Sequence, residues 1–129
     1  MKRILITLTL IGALGCASKA PPSLSPAGVV VWQANEVAVA IGLVQTGAIN
    51  LNKVQVCDPT PCHPLLSDAN TRIVVDAVED GILTLRATPS GWRATGLAIV
   101  DRIDQRLDDA GKGKLKAYTA AVRAVIGGL

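Results

Sequence analysis

Residues 25–52 decide the fold, and they read SPAGVVVWQANEVAVAIGLVQTGAINLN. Ser25 and Pro26 are typical of a helix start, because serine is a favoured N-cap residue and proline fits the first helical position without losing a hydrogen bond. The apolar pattern that follows predicts an amphipathic helix from Pro26 to about Asn52. One face of this helix is marked by apolar residues at spacings of three and four: Val30, Ala34, Val37, Ile41, Val44, Ala48 and Leu51.

The same stretch has features that favour other structures. Residues 29–31 are all valine and residues 37–41 alternate valine or isoleucine with alanine, a composition typical of strands. The length of the pattern and its cap favour the helix. Gln33, Asn35 and Glu36 argue against a membrane-spanning role, because polar side chains are costly in the bilayer interior.

Small residues form a line along the predicted helix. Ala34, Ala38 and Gly42 follow one another at intervals of four. Small side chains allow two helix backbones to approach closely. This line would therefore let a second helix approach closely.

The remainder of the chain contains a loop and the signals of a second helix. Prolines in residues 53–66 exclude a continuing helix there and predict a connecting loop. The second helix is predicted to start at Ser67 or Asp68 and to end at residues 89–91, which read Pro-Ser-Gly. Its expected apolar face consists of Val75, Val78, Ile82 and Leu85.

Two more helices follow in the predicted fold. Ser90 is expected to cap the third helix, which stops before Gly111. Residues 111–113, Gly-Lys-Gly, are expected to form a turn, and the fourth helix to run from about Lys114 to Ile126. The apolar faces are Trp92, Gly96, Ile99, Ile103 and Leu107 in the third helix, and Leu115, Tyr118, Val122, Val125 and Ile126 in the fourth.

The composition agrees with a helical fold. Half of the residues are apolar, yet the chain has no Phe, two Trp and one Tyr, so its core must be aliphatic and rich in alanine. Such residues suit closely packed helices better than an aromatic-lined pocket. We predict an all-α fold, a small antiparallel bundle of about four helices.

The first sixteen residues carry a targeting signal. Lys2 and Arg3 precede an apolar run from Ile4 to Leu14, which is too short to span a bilayer but has the length of a signal-peptide core. The run ends in Ala13-Leu14-Gly15-Cys16, which resembles the lipobox of bacterial lipoproteins, although Ala13 stands where leucine is commonest.

The resemblance implies that residues 1–15 are removed, that Cys16 receives a diacylglycerol thioether, and that acyl chains such as palmitate anchor it to a membrane. Ala17 after the cysteine implies the outer membrane if the host is Gram-negative. Residues 16–24 are then a lipidated tether, rich in proline and small residues, and residues 25–129 form the helical bundle domain. The alternative is an ordinary signal peptide or a short uncleaved anchor.

Cys57 and Cys62 lie in the predicted loop and enclose four residues. Thiols are normally oxidised in exported proteins, so a local disulfide is the favoured interpretation. Two alternatives are free thiols and a metal site that uses both cysteines with His63 and Asp58, since thiolate and imidazole bind zinc. We predict no resident metal and no cofactor, because His63 is the single histidine and there is no second cysteine cluster.

Catalytic motifs are not evident in the sequence. His63 stands in a proline-rich loop without an evident carboxylate to orient it, and the acidic pairs Asp76–Asp80 and Asp104–Asp108 have the spacing of solvated helix faces. Acidic residues of the third helix are expected to complement the basic residues of the fourth. We therefore expect a protein that is not an enzyme.

The charge balance bears on the partners. Lys2 and Arg3 belong to the segment expected to be removed, which leaves 11 of the 13 basic residues against 10 acidic ones and a net charge of +1. This balance argues against nucleic acid as a partner. We expect a lipid-anchored cell-envelope lipoprotein that faces the periplasm or exterior and binds an envelope protein. Two alternatives are a phage- or prophage-encoded accessory lipoprotein, acting in superinfection exclusion or lysis, and a carrier of an apolar ligand.

Overall fold

The structure, a computed structural model, describes residues 20–129. The predicted signal peptide and Cys16 lie outside these residues. The described part contains four α-helices: α1 (Pro26–Lys53), α2 (Asp68–Ala87), α3 (Trp92–Arg106) and α4 (Asp109–Gly128). A short 3₁₀ helix, Pro89–Gly91, joins α2 to α3, and two strands, β1 (Gln55–Val56) and β2 (His63–Pro64), form an antiparallel hairpin between α1 and α2. The predicted all-α bundle is confirmed.

Helix α1 starts and ends close to the predicted positions. The hydroxyl of Ser25 accepts a hydrogen bond of 3.1 Å from the backbone N–H of Gly28, which is the expected N-cap contact. The predicted apolar face is confirmed from Ala34 to Ala48, while Val30 and Leu51 at its two ends are partly buried. Ala40 and Gly47 are buried as well.

The four helices enclose one aliphatic core. Helix α1 contacts each of the other three, α2 also packs on α3, and α3 on α4. This arrangement is that of an antiparallel bundle in which consecutive helices are neighbours and the last returns to the first. The largest fully buried side chains come from all four helices and from the segment before α2: Val37, Ile41, Val44, Leu66, Val74, Val78, Leu85, Val100, Ile103, Leu115 and Ile126.

The predicted faces of the other helices are correct in α3 and shifted in α2. All five residues predicted for the α3 face are buried. In α2, however, Val75 and Ile82 are only partly buried, and the centre of the face lies over Val74, Ala77 and Gly81. The reason is that the small residues Ala77 and Gly81 allow the neighbouring helix to come close.

Close approach occurs at other glycines than the predicted line. Ala34 is buried and Ala38 packs against the core, but nothing lies within 4 Å of a Cβ built on Gly42, so no helix approaches closely there. A Cβ on Gly96 of α3 would instead lie 2.8 Å from Val37 Cγ1 and 2.9 Å from Ile126 Cδ1. Gly81 is covered in the same way by Ile99, and Gly47 by the ring of Tyr118.

The start of α4 differs from the prediction. Residues 111–113 are helical, not a turn, because α4 begins at Asp109 and Asp108 is its N-cap. The carboxylate of Asp108 accepts hydrogen bonds from the backbone N–H of Gly111 at 2.7 Å and from the amide of Asn70 at 2.9 Å. Asn70 is 4% exposed, and a Cβ on Gly111 would lie 2.6 Å from its Nδ2 atom. Gly111 is therefore required for packing within a helix.

The start of α3 also differs from the prediction. Ser90 does not cap this helix; it belongs to the 3₁₀ turn, and the N-cap position is held by Gly91 without a side-chain hydrogen bond. The turn continues directly into α3, since the N–H of Trp92 bonds to the carbonyl of Pro89. No separate capping side chain is therefore required there.

The expected charge complementarity between α3 and α4 is confirmed at one arginine. Arg123 of α4 donates to Asp101 at 3.0 Å and to Asp104 at 2.6 Å, and these hydrogen bonds hold the pKa of Arg123 above its ordinary value. Asp80 of α2 pairs with Arg102 of α3 at 3.4 Å. These ion pairs lie at the surface, where each contributes little to stability.

We expect Gly96→Ala to lower the free energy of unfolding by about 1 kcal/mol, because overpacking against Val37 and Ile126 outweighs the gain in helix propensity. Gly42→Ala is the matched control and should raise it by about 0.5–1 kcal/mol, since the added methyl meets open space. Urea unfolding of both variants measures the difference. Equal effects of the two substitutions would contradict the packing at Gly96.

A second prediction concerns acid. The hydrogen bonds from Gly111 and Asn70 lower the pKa of Asp108. A carboxylate with a lowered pKa in the folded state stabilises the fold above its ordinary pKa, about 3.9, and this contribution is lost as the pH falls through the lower folded value. We expect Asp108→Asn, which keeps a capping oxygen but does not titrate, to lose less stability than the parent between pH 5 and pH 2. Thermal unfolding at both pH values measures this. The same loss in both proteins would show that Asp108 does not contribute.

Candidate functional site

The loop between α1 and α2 contains the predicted cysteine pair. Cys57 and Cys62 form a disulfide, so both sulfurs are bonded to each other. The β1–β2 hairpin surrounds this link, pairing Gln55 with Pro64 and Val56 with His63. Residues 57–63 are all exposed. Bonded sulfurs are not free to act as thiolate ligands, which removes the chemistry on which the metal alternative depended.

His63 is at the surface of the same loop. Its Nδ1 atom lies 3.4 Å from the carbonyl oxygen of Pro61, and no carboxylate of residues 20–129 is hydrogen-bonded to it. Within that part of the chain, no group of three His, Cys, Asp or Glu side chains is placed to hold a metal ion. The loop therefore presents an exposed backbone and a disulfide, and its side chains do not converge on one point.

The acidic pairs noted in the sequence have structural contacts. Asp80 pairs with Arg102, and Asp104 with Arg123. Asp108 caps α4, and Asp76 is exposed on α2. A general acid or base needs a free carboxyl group beside a substrate cleft. Two of these four carboxylates instead pair with an arginine of a neighbouring helix, and a third caps the start of α4.

The gap between α1 and α4 is too small for a ligand, whereas an open groove at the start of α1, lined by Leu24 and Val31, has a volume of about 490 Å³. An apolar cavity between α1 and α4, lined by Leu43, Val44, Tyr118, Val122 and Val125 among others, has a volume of about 20 Å³. This is room for about one water molecule. A site for a drug-sized ligand has roughly 300–1,000 Å³.

The beginning of α1 has a different surface from the rest of the bundle. In the described chain the first buried residue is Ala34, although residues 20–35 contain no charged side chain. Leu24 is 38% exposed and Val31 48% exposed, and both line an open apolar groove with Ala27, Gly28 and Trp32. We call residues 24–32 the projecting end.

Contacts of α1 explain why this end is uncovered. Val31 and Ala34 lie beside Leu85, Arg86 and Pro89, where α2 finishes. The side-chain amide of Gln33 donates to the carbonyl of Leu129, at the end of α4. Helices α2 and α4 therefore stop level with residues 31–34 of α1, and the turns before this level extend past them.

Two arginines and the second tryptophan lie at the same end of the bundle. Trp92 starts α3 and is 8% exposed, and the guanidinium carbon of Arg93 lies 4.8 Å from the centre of its ring. Arg93 is exposed, as is Arg86 in the last turn of α2. The projecting end is therefore bordered by positive charge.

The helix α1 is long and apolar enough to cross a membrane, but this is weak evidence for a span. In its most apolar 18-residue window, 28% of the residues are buried inside the bundle. The helices of a protein core pass the same test of length and composition. The buried side of α1 is in contact with other helices along Ala34–Ala48.

Sequence reasoning identifies the cysteine pair but not the projecting end. The spacing assigns Val30 to the buried face, and spacing does not reveal where the neighbouring helices stop. The uncharged run from Ala20 to Asn35 is the available signal.

Comparisons with known proteins found no match: no protein-family model, curated sequence or solved structure matches this chain.

We expect reduction of the Cys57–Cys62 disulfide to lower the free energy of unfolding by at most about 2 kcal/mol, the value that loop entropy gives for so short a closed loop. Helix content should not change, because residues 57–63 are exposed and outside the core. Urea unfolding and far-ultraviolet circular dichroism, with and without reductant, measure both. The Cys57→Ser/Cys62→Ser double variant should be unaffected by reductant, and a loss of helix in it would contradict the prediction.

Proposed function

We propose that the protein is a lipoprotein of the cell envelope, anchored through lipid on Cys16, whose helical bundle is a non-enzymatic module that binds or supports an envelope protein. The observation that carries the proposal is the sequence of the first sixteen residues: a basic start, a short apolar run and Ala13-Leu14-Gly15-Cys16. Cleavage after Gly15 makes Cys16 the first residue of the mature chain.

The disulfide-bonded pair supports export. Cys57 and Cys62 are exposed, and a disulfide persists in the periplasm or outside the cell, whereas cytosolic thiols are kept reduced. A lipoprotein exported through the envelope folds in that oxidising environment. Because the pair lies in a surface loop, the two thiols are accessible to an oxidant as the chain folds.

The geometry of the tether agrees with an anchor at Cys16. Ser25, the cap of α1, follows Cys16 by nine positions in the chain, and a fully extended chain spans at most about 3.3–3.6 Å per residue. The bundle therefore begins within about 30 Å of the lipid. The end of the tether forms a turn, since the backbone N–H of Leu24 donates to the carbonyl of Pro21 at 3.2 Å.

The bundle supports a role in binding better than a role in transport of a ligand. A carrier needs an internal cavity, and a docking module needs a packed interior with exposed surface features. The interior between α1 and α4 has room for about one water molecule. The hairpin loop lies at the end of α1 opposite to the tether, about 40 Å away along a helix of 28 residues. This distal end is the surface offered to an envelope partner.

The proposal is tested by the mass and fatty acid content of the protein from membranes of an expressing Gram-negative host. We expect a chain that starts at Cys16 and carries acyl groups. Cys16→Ser should abolish incorporation of labelled palmitate and leave a precursor that starts at Met1. The Cys57→Ser/Cys62→Ser double variant is the matched control and should remain acylated. A parent chain that retains Met1 and has no acyl group would overturn the proposal.

A further inference from the structure

We infer that the projecting end of α1, residues 24–32, inserts into the surface of the lipid bilayer that holds the anchor, so that the domain contacts the membrane directly. This inference rests on the proposed function, since lipid on Cys16 is what brings the segment to a membrane. The partner that covers this apolar surface is a phospholipid bilayer. The protein supplies the contact with the first turns of its longest helix.

The first argument is the composition of the segment. Residues 20–35 contain no charged side chain, and the uncharged run ends at Glu36, about one helical turn after Trp32. Leu24 is 38% exposed, and Val31 is 48% exposed although it lies beside the end of α2. Transfer of exposed apolar groups such as these out of water lowers the free energy.

The second argument is the position of the segment in the chain. Leu24 is eight residues from Cys16, so the anchor holds it within about 28 Å of the bilayer surface. The chain between them contains Lys19 as its one charged residue. Among the exposed apolar residues of the bundle, Leu24 and Val31 are the two nearest to the anchor along the chain. Because lipid on Cys16 is held in the membrane, the tether keeps Leu24 and Val31 close to the bilayer surface.

The third argument is the arrangement of side chains around the segment. Trp32 lies between the exposed apolar residues Leu24 and Val31 and the polar group Gln33, Asn35 and Glu36. An indole, with an apolar body and a polar N–H, is favoured at such a position at a lipid interface. Arg86 and Arg93 are exposed at the same end and carry the charge that attracts anionic phospholipid headgroups. Glu36 of α1 is partly buried and lies beyond Trp32, on the side away from the tether.

The burial of α1 limits the depth of insertion. From Ala34 onward this helix provides the bundle core, so only the turns before Ala34 are free to enter lipid. Val39 is 51% exposed and lies seven residues after Trp32, about 10 Å further along the helix. It should therefore remain in water while Trp32 contacts the bilayer.

The test uses tryptophan fluorescence in vesicles. Full-length protein is purified from membranes, its acyl groups are verified by mass, and it is placed in vesicles of phosphatidylethanolamine and phosphatidylglycerol with or without brominated acyl chains. We expect brominated lipid to remove most of the Trp32 fluorescence, measured as the difference between the parent and Trp32→Phe. In the double variant Trp32→Phe/Val39→Trp, the indole introduced in place of Val39 should retain its fluorescence in the same vesicles.

Two substitutions test the contact itself. Val31→Asp should abolish quenching of Trp32 while the protein still floats with the vesicles through its lipid. Leu83→Asp is the matched control, because Leu83 is 64% exposed on α2, and it should leave quenching unchanged. Circular dichroism of both variants verifies that the bundle remains folded.

Several outcomes would overturn the inference. An acylated protein whose Trp32 is not quenched would refute the membrane contact and leave the lipoprotein proposal intact. Protection of Trp32 from both brominated lipid and aqueous acrylamide would place it against a second copy. Quenching of the indole introduced in place of Val39 would show that the whole helix enters the bilayer. A chain without acyl groups would overturn the proposed function and the inference together.

Discussion

The buried side of α1 is the constraint on which the rest of the structure depends, because this helix contacts each of the other three. Its core residues are valine, isoleucine, alanine and glycine, and the whole chain contains no Phe. Without large rings to fill space, the helices must come close together to reach the packing density of a protein interior. Gly81 and Gly96 permit this, since Ile99 lies over the first, and Val37 and Ile126 over the second.

The sequence was sufficient for the features that depend on local spacing. The cap at Ser25, the start of α2 and the apolar face of α3 were predicted because each repeats or ends within a few residues of chain. The start of α4 was not predicted. Two glycines within three residues are typical of a turn, and the reason that Gly111 belongs to a helix is Asn70, about 40 residues earlier in the chain. A contact between residues so far apart in the chain leaves no pattern in the sequence around either of them.

Local spacing likewise predicts the cysteine pair of the candidate site but not the projecting end. The spacing of Cys57 and Cys62 within a proline-rich loop was enough to predict their pairing, which the structure places at bonding distance. The projecting end could not be predicted, because periodicity assigns Val30 and Val31 to a helix without revealing that α2 and α4 stop at the level of residues 31–34. Exposure here is a property of the neighbouring helices and not of the segment itself.

A single helix thereby connects two environments. From Ala34 to Ala48 one side of α1 packs against the other three helices, while Val39 on another side of the same stretch is 51% exposed. The turns before Ala34 are only partly covered, and Leu24 and Val31 are exposed there. In the proposed arrangement the bilayer covers this exposed apolar surface. Because α1 is continuous, its contact with lipid also orients the bundle in this arrangement, and the hairpin loop lies at most about 30 Å from Trp32 at the membrane surface.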